Sequence, residues 1–407
     1  MKNLFKKPGI YCALFLITSL AGCGGGGGGY SSTPMATTGT LNVSLTDAPA
    51  CGFDAVNVTV TKVRINQSGS AADTDAGWTD ITLNPALKIN LLSLTNGTLE
   101  ALGQTPLAAG HYSQIRLLLD PNTGTGLANS VVPTGSTAEV SLDTPSAVQS
   151  GIKLINEFDV AAGQRVDLVL DFDACKSIVT KGNGKYALKP VIKVVPAILN
   201  GIDGFVSTAA LGNHVAVSAQ QNGTIISSTT PNATTGEFLL TRLAPGNYDV
   251  VITADNRAAT VISGVPVAST TSTTVISSSA APINLLTSAT LPGSISGTVT
   301  LSPASATEVA YVAAKQSFAA GPTVTIKYQG ADLSSGAYTL SNLPTVAPQL
   351  GIYSATLPIV FTTPAGTLPG TAKYRVEASA TGYTTKANAS VDISAANQSG
   401  IDFTLTP

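Results

Sequence analysis

Few residues of this chain are of a type that does chemistry, and most of them stand alone. The two histidines, His111 and His214, fall in different predicted domains, so neither a metal pair nor a Ser/His/Asp arrangement is easily built from them. Asp171 and Asp173 are two apart on a predicted strand and share a face, and Asp47 sits in a turn that could reach them. Hard cations are held by several such oxygens, which makes Asp47, Asp171 and Asp173 a candidate Ca²⁺ site. In the competing reading Asp47 caps its own turn while the other two face solvent at a strand end. Asp73, Asp75, Gly77 and Asp80 have part of the spacing of a calcium loop, but a Gly stands where the third acid belongs and no closing Glu follows. Gly182-Asn183-Gly184-Lys185-Tyr186-Ala187 fits the spacing of a dinucleotide fingerprint. No helix is predicted behind it, so a hairpin turn is the expected outcome. G-x-S-x-G and H-E-x-x-H are absent. Paired carboxylates for glycoside cleavage would meet only in the fold, and aromatic platforms for sugar are scarce, with Trp78 the single tryptophan. No catalytic residue is assigned, and the expectation is a protein that is not an enzyme.

The cysteines speak of location. Lys2, Lys6 and Lys7 precede an apolar run from Ile10 to Leu20, and the small residues Ala21 and Gly22 follow, which is the layout of a secretory signal. The apolar run is about a dozen residues long, against about twenty for a spanning helix. Leu20-Ala21-Gly22-Cys23 resembles a bacterial lipobox. The resemblance implies that residues 1–22 are removed as a signal peptide and that Cys23 becomes an acylated amino terminus, holding the protein to a membrane. An ordinary secretory signal with a chance cysteine is the alternative. Gly24 after Cys23, rather than Asp, resembles lipoproteins released to the outer membrane. Cys51 and Cys175 remain, an even pair in a chain sent to an oxidising compartment, and a disulfide between them is predicted. Closing that loop would constrain the unfolded chain by about 4 to 5 kcal/mol in the entropy model.

Composition bounds the rest. Charged residues make up 11% of the chain and the formal net charge is -2, which excludes a nucleic-acid binder and a solvated acidic tail. Val, Ile and Thr alternate with polar residues throughout, while amphipathic helical order is hard to find, so the fold class is all-β. The Gly tract from Gly24 to Gly29 and the Ser, Thr and Pro that follow cannot bury enough apolar surface to fold, and residues 23–38 are expected to be a flexible tether.

A first domain is predicted over 39–198. Leu41, Val43 and Leu45 alternate inward, and Asp47-Ala48-Pro49 ends their strand. Val56, Val58 and Val60 keep one parity and Val63 and Ile65 the other, which calls for a β-bulge near Lys62. Ile115, Leu117 and Leu119 form a strand entered through Gly110-His111-Tyr112. A hairpin is expected from Ser177–Thr180 to Tyr186–Val195. The segments Leu45-Thr46-Asp47-Ala48-Pro49, Gly110-His111-Tyr112-Ser113-Gln114-Ile115-Arg116-Leu117, Asp171-Phe172-Asp173-Ala174 and Gly182 to Ile192 resemble those of the bacterial lipoprotein family known as domain of unknown function 4382. The resemblance implies a β-sandwich-like envelope domain with no assigned reaction.

The remainder repeats. Gly236-Glu237-Phe238-Leu239-Leu240-Thr241-Arg242-Leu243 lines up with Gly336-Ala337-Tyr338-Thr339-Leu340-Ser341-Asn342-Leu343. Tyr248 has its counterpart in Tyr374, which arrives late, behind an inserted stretch from about Thr345 to Thr371. Upstream, Val215 and Val217 are matched with Val324 and Ile326. The pattern resembles carboxypeptidase regulatory-like modules, small prealbumin-like β-sandwiches, at 201–280 and 293–407. That implies structural or binding modules rather than catalysts. The expected whole is a lipid-anchored cell-envelope protein at the outer membrane. Its stacked sandwiches would stand outward and bind a surface protein or glycan through loops of the first domain. An envelope hydrolase acting on polysaccharide or peptide, and a purely structural spacer, are the alternatives.

Overall fold

Alternation decides the local structure throughout: a strand turns successive side chains to opposite faces, so one parity reaches the core and the other the surface. In the computed structural model, which describes residues 37–407 apart from 49–51, 125, 198 and 199, Leu41, Val43 and Leu45 are fully buried from β1 (Thr38–Ala48). Domain 1 continues with β2 (Phe53–Asn66), β3 (Thr79–Asn90), β4 (Glu100–Ala108), β5 (Gly110–Leu119), β6 (Ser130–Pro133), β7 (Val140–Asp143), helix α1 (Pro145–Gln149) and β8 (Ile152–Val160). It ends with β9 (Arg165–Asp173), helix α2 (Ala174–Ser177), β10 (Ile178–Thr180), β11 (Tyr186–Leu188) and β12 (Ile192–Pro196). One sheet has the order β12-β9-β1-β4; the other runs through β3, β2, β5 and β8, with β6, β7, β11 and β10 extending from the first half of β2.

The expected bulge in β2 is present. The register against both β3 and β5 shifts between Val60 and Lys62. That single extra residue lets Val56, Val58 and Val60 on one side of it, and Val63 and Ile65 on the other, all reach the core. The hairpin at 178–188 is also present: Gly182, Asn183 and Gly184 all have positive φ, 76°, 50° and 67°, a conformation that needs Gly or Asn. Its second arm, however, is shorter than the expected Tyr186–Val195. Pro190, which has no N–H to give a ladder, interrupts it, and β12 crosses to the opposite sheet to pair with β9.

Domain 2 comprises β13 (Gly201–Phe205), β14 (Ala216–Gln221), β15 (Thr224–Thr229), β16 (Glu237–Thr241), β17 (Gly246–Thr253), β18 (Thr260–Val267) and β19 (Thr273–Val275). Domain 3 comprises β20 (Gly293–Leu301), β21 (Tyr311–Phe318), β22 (Thr323–Gly330), β23 (Ala337–Leu343), β24 (Gln349–Ile352), β25 (Thr367–Leu368), β26 (Lys373–Ser379), β27 (Lys386–Asp392) and β28 (Phe403–Leu405). The sheets β16-β13-β19 and β15-β14-β17-β18 correspond strand for strand to β23-β20-β28 and β22-β21-β26-β27. Domain 1 has the same order in β4-β1-β9 and β3-β2-β5-β8, so the repeat is threefold rather than twofold. One detail of the expected alignment is corrected: Val217 lies in β14, whose counterpart is β21, whereas Val324 and Ile326 lie in β22, the counterpart of β15. A Val-x-Val alternation looks the same in any strand of period two, so it could not fix the pairing.

A tyrosine marks the same corner in each domain. Tyr112 Oη donates to the Ala108 carbonyl at 3.0 Å and Tyr248 Oη to that of Ala244 at 2.7 Å, while Tyr374 Oη reaches that of Pro344 at 2.6 Å across the inserted stretch. The insertion is therefore looped out of an intact corner. Its end returns to its own domain, where β25 pairs with β21, but its first part joins domain 2: β24 pairs in parallel with β18, Thr260 to Ser263 opposite Gln349 to Ile352, and Ile359 enters the core of domain 2.

Residues 37–407 form one unit, and the domains do not follow one another outward from the first. Domain 1 touches both others. Asn96 bonds the free edge of β16, its Oδ1 accepting from Leu239 N at 3.1 Å and its Nδ2 donating to the Glu237 carbonyl at 3.1 Å. Toward domain 3, Asp332 Oδ2 accepts from Gly182 N at 2.8 Å and Lys189 pairs with Glu308 at 3.1 Å.

Candidate functional site

Most of the acidic residues singled out in the sequence have a structural occupation. Thr46, Asp47 and Ala48 lie opposite Asp171, Phe172 and Asp173 in the parallel β1–β9 ladder. Asp47 therefore shares the core face with Phe172, and Asp171 and Asp173 share the other face. Asp47 is buried and accepts from Ala174 N at 3.0 Å. Asp173 caps α2, taking Lys176 N at 3.0 Å and Lys176 Nζ at 2.7 Å. Asp171 faces domain 2, where burial raises its pKa against the opposing pull of Arg242 and Lys193. The expected convergence of the three carboxylates thus does not occur, because register in a parallel pair puts neighbours, not diagonal residues, on one face. Asp80 is neutralised by Lys62 and Arg64 at 3.0 and 2.9 Å, and Asp75 accepts from Ala72 N within its own loop. Among the described residues, no group of three or more His, Cys, Asp or Glu side chains is placed to hold a metal ion.

His111 and His214 each bond an aspartate, Asp159 at 2.9 Å and Asp255 at 2.8 Å, in separate domains. Trp78 is engaged by the guanidinium groups of Arg64 and Arg116, 4.8 and 5.0 Å from its ring centroid. A π surface that already holds cations is a poor platform for a sugar. Cys175, in α2, is disulfide-bonded; Cys51, its expected partner, and Cys23 lie outside the described residues.

Between domains 1 and 2 lies a polar cavity of about 20 Å³, lined among others by Thr46, Asp171, Thr229 and Arg242, with room for about one water molecule. Arg242 reaches it from a backbone with φ of 58°, and burial lowers its pKa while Asp171 raises it. That cavity is too small for an organic ligand.

The larger site was not legible beforehand. A groove of about 510 Å³ runs between the stretch after β19, Ile276 to Thr287, and the inserted arm of domain 3 at Gln349, Pro358, Ile359 and Phe361. Its walls carry no charged side chain; Ile276, Ile283, Leu285 and Ile359 form its apolar floor and are all buried. Among the described residues, eight large apolar side chains stand exposed, and six of them, Val275, Leu286, Leu291, Ile352, Val360 and Leu368, belong to the segments 275–291 and 352–368. Of these, Leu286 lines the groove itself; an isolated exposed apolar residue is ordinary, but one on the wall of a groove with an apolar floor marks a candidate interaction surface. The signal was hidden because the two walls are more than fifty residues apart in sequence and meet only through the β18–β24 ladder.

Comparison with known proteins gives a family for one domain. No curated protein matches the chain. Among solved structures, the Bacillus anthracis TIE protein is 10% identical with a TM-score of 0.16, over 91% of this chain and 51% of its own; the chain thus spans about half of that protein. The Corynebacterium diphtheriae major pilin SpaA is 11% identical with a TM-score of 0.19, over 91% of this chain and 100% of its own. BcpA, the major pilin subunit of Bacillus cereus, is 12% identical with a TM-score of 0.14, over 91% and 99%. Scores of this size carry no argument about fold or role. The family model is more specific: residues 38–190, the whole of domain 1 up to the turn before β12, match the domain of unknown function DUF4382.

Proposed function

We propose that the protein is a lipid-anchored, non-enzymatic component of the cell envelope that holds a partner polypeptide in the groove of domain 2. The observation that carries this reading is one uncharged groove of about 510 Å³ with an apolar floor and the exposed Leu286 on its wall. Apolar walls suit a polypeptide segment better than a glycan, whose hydroxyls need polar partners and aromatic faces. The binding surface moves accordingly from the loops of domain 1 to domain 2 and its inserted arm. The lipobox around Cys23 supplies the anchor, and the strand order shared by domains 2 and 3 favours the carboxypeptidase regulatory-like modules. A Cys51–Cys175 bridge completes the proposal; two reactive thiols in unfolded, unreduced protein would exclude it. Two photo-crosslinking residues test the binding site in the living cell, one at Leu286 on the groove and one at Leu99 on domain 1. A discrete polypeptide adduct from position 286 alone is expected. Adducts from position 99 alone, or none, would refute it.

A further inference from the structure

The three domains share one strand order and differ in the strands added at the edges. In domain 1, β9 has β12 antiparallel on its far side, from Ile192 opposite Phe172 to Pro196 opposite Leu168. The counterpart of β9 in domain 2 is β19, and β19 pairs with β13 alone. The opposite sheet shows the reverse: β18 carries the additional strand β24, while its counterpart β8 is an edge. A five-stranded sheet therefore faces a three-stranded one in domain 2. The groove begins where β19 ends, between Ile276, Ser277 and Ile283 on one wall and the arm residues Gln349, Ile359 and Phe361 on the other.

The exposed edge has free main-chain groups. Gly201 N donates to the Ser272 carbonyl at 3.1 Å and Ile276 N donates to that of Asp203 at 2.9 Å, so the amide of Ile276, and by alternation that of Thr274, turns toward β13. The amides of Thr273 and Val275 turn the other way, and both residues are exposed, Val275 by 45%.

From this juxtaposition we infer that domain 2 accepts an extended peptide as a fourth strand, antiparallel to β19, with alternate apolar side chains turned into the groove. The inference rests on the groove being a polypeptide site. The occupant is a segment of a partner chain patterned like β12, in which Ile192 and Val194 pack on the core of domain 1 and Lys193 alternates away from it. Main-chain bonds to Thr273 and Val275 would hold the segment, and the uncharged walls would select its inward side chains.

The test uses the full chain and two capped nonapeptides of one composition, one alternating Val with Lys or Thr and one with the valines in a block. The alternating peptide is expected to bind at least about tenfold more tightly, since only it presents one apolar face to the groove. Val275→Pro removes an outward amide and should weaken binding about fivefold, while Val275→Ala, which keeps the amide, should not. Should Val275→Pro fail to fold, hydrogen exchange decides on the unaltered chain: the Val275 amide becomes protected when the alternating peptide is added. Equal binding of both peptides with no effect at Val275 overturns strand addition and leaves a groove that binds polypeptide. Binding of neither peptide, or occupation of the groove only by fatty acid or by a second copy of the chain, overturns both.

Discussion

Domains 2 and 3 have the same strands in the same order and the same tyrosine corner, yet one of them is completed by the other. The first part of the stretch inserted after Pro344 lays β24 along β18 and sends Ile359 into the core of domain 2 before the chain returns to domain 3 through β25. Gly351, with no side chain, lies directly beneath Ile359 and Phe361, and a Cβ there would meet Ile359 at 2.8 Å. The cores interlock in the other direction too, because Val251, Ala259 and Val261 of domain 2 pack in the cluster of domain 3. The lesson is that a repeat can be conserved in topology and still be asymmetric in stability: domain 2 depends on an arm that domain 3 only lends.

Replacing residues 346–365 by a short Gly/Ser linker should break this comparison most severely. Domain 3 loses the partly buried Leu350 and undergoes a change of loop length, while domain 2 loses the ladder on β18 and the burial of Ile359, about 3 to 5 kcal/mol. Residue-resolved hydrogen exchange would then show the amides of β18 losing protection and those of β26 keeping it; the reverse order would disprove the dependence. Next in size is Gly236→Ala beside Gly336→Ala. Both glycines have positive φ, 74° and 69°, and a Cβ on either would sit 2.1 Å from the Val206 oxygen or 2.3 Å from the Val299 oxygen. Each should cost about 3 kcal/mol in urea unfolding; a clear difference between them would mean that the repeats are not equivalent at this turn.

Tyr248→Phe and Tyr374→Phe ask whether the insertion has weakened its corner. Each strands a carbonyl and should cost about 1 to 3 kcal/mol. A loss confined to Tyr248→Phe would show that the bond from Tyr374 to Pro344 contributes nothing once the loop has grown. The smallest effect concerns the turn before β16 and β23, where Asn232 in domain 2 and Asp332 in domain 3 accept from the backbone of the residues two and three positions on. Burial raises the pKa of Asp332, but hydrogen bonds from Ser334 and Ser335 outweigh it and hold the carboxyl well below its ordinary value of 3.8. A carboxyl whose folded pKa is depressed stabilises fully above the unfolded value and loses that contribution as pH falls through the folded one. Acidification below about pH 4 should therefore destabilise domain 3 through this turn and not domain 2. Asp332→Asn should reduce the difference in acid titrations followed by hydrogen exchange, leaving the share of Asp392, whose carboxyl Lys373 and Ser394 also hold low.

Much of this was written in the order of the residues. The parity change between Val60 and Val63 demanded a bulge in β2, and three left-handed residues at Gly182 to Gly184 could only turn, because backbone sterics act on a residue and its neighbours whatever the rest of the chain does. The likeness of Gly236–Leu243 to Gly336–Leu343 placed a repeat for the same reason. Domain 1 escaped the repeat because its shared features, Tyr112 with Ala108 and a parallel β9, carry extra strands between them. The three aspartates misled because sequence spacing states which residues share a strand face but not which strand comes alongside in what register. The groove lay further still from view. Its walls are apolar residues that read as core in their own segments, and only the parallel pairing of β24 with β18 brings them face to face while leaving β19 bare. Local sterics and alternation belong to the sequence; which edges are closed, and by which distant segment, is decided when the sheets pack.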